Sequence, residues 1–124
     1  MTTVLTPIVP TLSTSVPKEL VYTAAAASQV MPLSDTLMTM AFIKNTDNSV
    51  AHTCTFKHYK TGDSDQVVSI TGATAGAVKL AGVWLPYRWA NKTPTDAAYG
   101  GCELTWSSTT GMSIAVVHVP YASK

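Results

Sequence analysis

The stretch Leu37–Tyr59, LMTMAFIKNTDNSVAHTCTFKHY, decides the fold class. It holds two apolar-rich runs, Leu37–Lys44 and His52–Tyr59, separated by Asn45-Thr46-Asp47-Asn48-Ser49. Asn, Asp and Ser bond to their own backbone in turns, and Asn and Asp tolerate positive φ, so strand continuity breaks there. In the second run His52, Cys54, Phe56 and His58 share one face while Thr53, Thr55 and Lys57 share the other. That period of two belongs to a strand with one buried face. The first run is apolar on both faces, with Leu37, Ala41 and Ile43 against Met38, Met40 and Phe42. This pattern predicts a central strand whose outer side is also covered. The two runs are expected to pair as an antiparallel hairpin.

Further strands are predicted over Leu20–Ala24, Gln66–Ile70, Ala77–Leu85, Cys102–Ser107 and Met112–Val119, with a bulge near Gly82. In Cys102–Ser107 the inward set is Cys102, Leu104 and Trp106. Ala24–Gln29 has room for one helical turn before Pro32. A long loop, PYRWANKTPTDAAYGG, covers Pro86–Gly101. Short strands with regular turn signals predict an all-β fold, an antiparallel β-sandwich of jelly-roll or immunoglobulin-like kind. Residues 1–19 place Pro7, Pro10 and Pro17 among Val4, Leu5, Ile8, Val9, Leu12 and Val16. Proline favours extended backbone, and a disordered tail is usually polar. An extended N-terminal arm (1–19) that crosses onto a neighbouring subunit is therefore favoured over a frayed terminus, followed by a β-sandwich domain (20–124).

At 124 residues the chain is long enough for one two-layer core. Only 12% of residues are charged, about half the usual share, against 46% hydrophobic. Such a surface suits a protein whose outside is largely occupied by neighbours. A net charge of +1 provides no long-range field for nucleic acid or an anionic membrane. No apolar run approaches the ~20 residues of a membrane span, and the N-terminus lacks the pattern of a secretory signal. The protein is expected to work where it is made, or to leave the cell inside a larger particle.

No nucleophile elbow, P-loop, HExxH or dinucleotide fingerprint occurs, and the seven acids are scattered, so no enzyme is expected. His52, Cys54 and His58 share a face, yet His52 and His58 would stand ~20 Å apart along a strand, too far to share a metal ion. No metal and no cofactor are expected. Cys54 and Cys102 both fall on inward positions of different strands. Two buried thiols are preferred over an inter-sheet disulfide, because Trp84 sits too far from Cys54 for the immunoglobulin pattern. The most suggestive surface is WLPYRW (Trp84–Trp89). Tyr, Trp and Arg dominate binding hot spots, so Tyr87, Arg88 and Trp89 are candidate contacts; the alternatives are that Trp84 and Trp89 cap the core, or that the loop is a sugar platform, which needs exposed ring faces.

The middle and C-terminal parts resemble the small β-sandwich decoration (cement or auxiliary head) proteins of tailed bacteriophages. The likeness is one of pattern, from Leu20 to Val119. It rests on Ile43-Lys44-Asn45 followed by the Thr-rich Thr53-Cys54-Thr55-Phe56, then Gly76-Ala77-Val78-Lys79-Leu80-Ala81-Gly82 leading into Leu85-Pro86. The closing segments are Gly101-Cys102-Glu103-Leu104-Thr105-Trp106-Ser107-Ser108 and Met112-Ser113-Ile114-Ala115-Val116-Val117-His118-Val119. The resemblance implies a non-enzymatic structural role on the outer surface of a virion, made in the host cytoplasm. Its partners would be the major capsid protein and copies of itself, commonly as a homotrimer, with no nucleic acid and no membrane. The alternative is a tail, collar or fibre module that binds host-surface glycans. Contacts are expected from the arm (Val4, Leu5, Ile8, Val9, Leu12, Val16) and from Tyr87, Arg88 and Trp89.

Overall fold

In the computed structural model the described residues are 3–9, 19–47, 50–59, 64–72, 76–84 and 86–120. Nine strands are described: Thr3–Val4 (β1), Thr23–Ala24 (β2), Gln29–Pro32 (β3), Leu37–Asn45 (β4), His52–Phe56 (β5), Gln66–Ile70 (β6), Ala77–Trp84 (β7), Gly101–Trp106 (β8) and Met112–Pro120 (β9). One helical turn, Pro86–Trp89 (α1), follows β7. Sheet one has the order β1-β3-β8-β5-β6, and sheet two the order β2-β9-β4-β7. All pairings between named strands are antiparallel except β1 with β3. The protein is a β-sandwich, as its alternating runs imply.

The pairing of the central runs differs from the expectation. β4 and β5 lie in different sheets, so Leu37–Tyr59 is a crossover between layers and not a hairpin. Both edges of β4 are taken by distant strands: β9 pairs with all nine of its residues and β7 with seven. No edge is left for β5, which pairs with β6 and β8. Among the described residues the only consecutive strands that share a sheet ladder are β5 and β6. The Leu20–Ala24 run contributes only β2, and Ala24–Gln29 forms no helical turn.

A polar staple holds the crossover. Asn45 is fully buried, and its Nδ2 donates to the carbonyls of Val50 and Ile70, both at 3.0 Å. Its Oδ1 accepts from the Asp47 amide at 2.9 Å. Asp47 Oδ2 in turn lies 2.8 Å from Nε2 of buried His52, at the start of β5. Buried polar groups persist where they are hydrogen-bonded, and here the bonds turn the chain from one layer into the other.

Between the layers lie Met31, Ala41, Ile43, Cys54, Phe56, Ile70, Trp84, Leu104, Ile114 and Val116. Phe56 of sheet one and Trp84 of sheet two stack across the gap at 4.4 Å and 34°. His118 on β9 reaches across the core, its Nε2–H donating to the Pro32 carbonyl of β3 at 2.8 Å. The register of β7 shifts opposite Thr39 and Met40, and Gly82 sits there at φ 125°. A Cβ at Gly82 would lie 2.9 Å from the Thr39 carbonyl oxygen, so the bulge depends on glycine.

Residues 3–9 are part of this same sandwich. Thr3 and Val4 extend sheet one beside β3, and the Leu5 amide donates to the Val30 carbonyl at 2.9 Å. Leu5, expected to meet a neighbouring subunit, is 3% exposed and sits in the protein's own core. Ile8 then bridges β9 of sheet two, donating to Val116 O at 2.8 Å and accepting from His118 N at 2.9 Å. The segment closes one flank by pairing with β3 of sheet one and, alongside β2, with β9 of sheet two. Leu12 and Val16 lie outside the described residues.

Candidate interaction surface

The opposite flank is open. There β6 ends sheet one and β7 ends sheet two, and neither has a second strand partner among the described residues. On β7 the inward positions carry Ala77, Lys79 and Ala81, with Lys79 opposite Ile43, while Val78 and Leu80 point outward beside Lys44 and Phe42 of β4. Leu80 is 58% exposed and Val67 of β6 is 59% exposed. Met40 and Phe42 on the outer face of sheet two are half-buried, so the apolar area continues from the edge of β7 onto β4. Exposed edges are usually blunted by charge, proline or a cover; this flank has the Gly82 bulge and Lys79. Farther along the same face Tyr22 lies under the Lys44 ammonium, 5.2 Å from its ring centroid, and burial raises the Tyr22 phenol above its usual pKa.

The aromatic loop behaves differently from this flank. Trp84 belongs to the core at 2% exposure, and Trp89 is half-buried and packs against it. Trp89 meets the buried His58 ring edge-on at 4.4 Å and 71°. The α1 turn is tied to sheet one where the Tyr59 amide donates to the Arg88 carbonyl at 3.1 Å. Trp84 and Trp89 thus cap the core, and Arg88 is half-buried. Tyr87 lies in the turn, and only its backbone is described. Of the other expected contacts, Val4 and Val9 are exposed and Ile8 is half-buried.

Beside this cap a cleft of about 260 Å³ opens, lined by Lys57, Tyr59, Trp89, Asn91, Thr93 and Glu103. Lys57 Nζ and Glu103 Oε2 stand 3.3 Å apart, and the Lys57 amide donates to the Glu103 carbonyl at 2.9 Å. Asn91 is fixed at both backbone groups, donating to Gly101 O and accepting from Gly100 N, and its Oδ1 accepts from the Thr93 amide at 2.8 Å. The sequence marks the aromatic loop but not its partners, because residues 57–59, 91–93 and 103 converge only when β5 and β8 pair. For the open flank a signal does exist: in AVKLAGVW the large apolar residues Val78 and Leu80 share one face while Ala77, Lys79 and Ala81 share the other, opposite to a normal core-facing strand.

Among the described residues no group of three His, Cys, Asp or Glu side chains stands close enough to hold a metal ion. No helix among them is long and apolar enough to cross a membrane. Cys54 and Cys102 are free and buried in the same sheet, on β5 and β8. Cys54 faces Trp106, four residues along β8 from Cys102, a separation of ~13 Å at strand rise that no disulfide spans. Burial pushes the Cys102 thiol up to about 12, with the Glu103 charge adding to it, and burial also pushes Cys54 up. Neither thiol is expected to react with a disulfide reagent at pH 8 in the native protein, and both should react in denaturant. Because the folded pKa lies above the unfolded value of ~8.5, the native state holds the proton more tightly. Stability from this source is therefore full below about pH 8 and lost as the pH climbs towards 12. Rapid labelling of the native protein at pH 8 would show that the thiols are not enclosed.

No protein-family model, no curated protein and no solved structure matches the chain.

Proposed function

We propose that the protein is a structural subunit of a virus particle, a capsid decoration protein that binds the outside of a phage head and stabilises it. The observation that carries this reading is the asymmetry of the two flanks. One is closed by residues 3–9, while the other leaves two strand edges open, with Val67 exposed on the outer face of sheet one and Val78 and Leu80 exposed on the outer face of sheet two. The pattern resemblance to phage decoration proteins names the partner as the major capsid protein, with further copies of this chain beside it. The low charge of the sequence fits a surface that is covered in the assembled state.

Burying apolar area contributes roughly 25 cal/mol per Å². A flank that finds its complement only where capsid subunits meet stabilises the assembled shell over its fragments, because binding favours the state that is bound. The backbone groups of the β6 and β7 edges add directional hydrogen bonds to the non-directional apolar term.

Co-sedimentation with mature, expanded heads stripped of the protein tests the reading. Saturable binding at a fixed ratio to the major capsid protein is expected. Leu80→Asp should weaken it by at least about tenfold while the isolated protein keeps its fold, as expected for a central apolar contact. Absence of binding to heads, or binding unchanged by Leu80→Asp, would overturn the assignment of this flank.

A further inference from the structure

We propose that the cleft beside α1 binds one neutral sugar ring, as the exposed unit of a glycan. The site lies on the aromatic cap and not on the β6–β7 flank, so it stands or falls independently of the capsid reading. Two aromatic side chains line it. Trp89 is held in place by the core and by the His58 ring, and Tyr59 is 40% exposed. The partly exposed Trp89 ring, fixed in this way, offers an apolar surface for the C–H side of a pyranose with little side-chain entropy left to lose on binding, and Tyr59 adds a second aromatic wall.

The polar groups match hydroxyls. Glu103 supplies a planar carboxylate acceptor and Lys57 an ammonium donor, and Thr93 has a hydroxyl able to do either. The Asn91 carbonyl oxygen is already used by Thr93, which leaves its Nδ2 as a donor. A vicinal diol presents alternating donors and acceptors, which such a set can satisfy together. Charge selects against ions: Lys57 and Glu103 offset each other at 3.3 Å, so an anionic or cationic ligand would have to break that pair. Size selects a single ring, since about 260 Å³ lies just below the ~300 Å³ at which drug-sized pockets begin.

The test is titration of the full ¹⁵N-labelled chain with D-glucose, D-galactose and N-acetyl-D-glucosamine, followed by amide and indole shifts. D-glucuronate and indole serve as the anionic and apolar comparators. At least one neutral sugar is expected to give saturable millimolar shifts confined to 57–59, 89–93 and 101–103. Tyr59→Ala, which keeps the backbone bond to Arg88, and Glu103→Gln, which keeps side-chain size and strand pairing, should each weaken binding about tenfold. The spectrum of each variant reports its fold, and if one is disturbed the other decides. Three results would each overturn the proposal: no shifts with any neutral sugar, tighter binding of glucuronate or indole, or affinity unchanged in a folded variant.

Discussion

Replacing Asn45 with alanine is expected to destabilise the protein by about 3–5 kcal/mol, read as a lower urea midpoint with an unchanged slope. The substitution removes the donor that serves the Val50 and Ile70 carbonyls and the acceptor that serves the Asp47 amide. A buried group left without its partner costs roughly 1–3 kcal/mol, and the Ile70 bond is wholly buried. Against a total of about 5–15 kcal/mol for an ordinary domain, this is a large share. Asn45→Asp is the informative companion. It keeps an acceptor for Asp47 but turns a carboxylate towards two carbonyl oxygens, so it should lose as much as alanine does. A loss below about 1 kcal/mol in both variants would mean that the crossover is held by packing and not by this side chain.

Trp84→Ala should cost about 3–5 kcal/mol, the range for removing a large aromatic residue from a core. Trp84 is 2% exposed and stacks on Phe56 of the facing sheet, so its loss opens a cavity between the layers. Among the described residues its indole Nε1 has no hydrogen-bond partner, and neither has the hydroxyl of Thr39 opposite it on β4. Trp84→Phe keeps an aromatic ring against Phe56 and removes the unpaired N–H, so its loss should be only about 1–2 kcal/mol. Thermal or urea unfolding of the two variants side by side measures the difference. Equal losses would show that the ring stack contributes little and that the indole nitrogen has a role in the fold.

The two variants act at different levels of the sequence. Trp84 is legible in the sequence as a large apolar residue in a strand, with core cap as one of its readings. Asn45 carried only a turn signal, since Asn, Asp and Ser interrupt any strand in the same way whether the chain then folds back or crosses to another layer. A run such as Asn45–Ser49 has the composition of a hairpin loop. Its use as a staple depends on the Ile70 carbonyl, which is 25 residues away.

The sequence by itself determined the class, the positions of most strands and which side chains face inward. Gln66–Ile70 was placed at both ends, and the inward set His52, Cys54, Phe56 and His58 is buried. Strand and burial signals are local: a period of two is written into consecutive residues and survives any choice of partner. Only the tertiary structure decided which strands pair, that the central runs belong to different sheets, and that residues 3–9 close the protein's own flank. Those outcomes turn on contacts between distant segments, such as Leu37–Asn45 with Met112–Pro120 and Ile8 with Val117. Edge hydrogen bonds are chemically alike on every strand, so no local pattern names the partner. The two candidate surfaces follow from the same cause. The open flank is what the pairing leaves over, and the cleft exists because β5 and β8 bring Lys57 and Glu103 side by side beneath the aromatic turn.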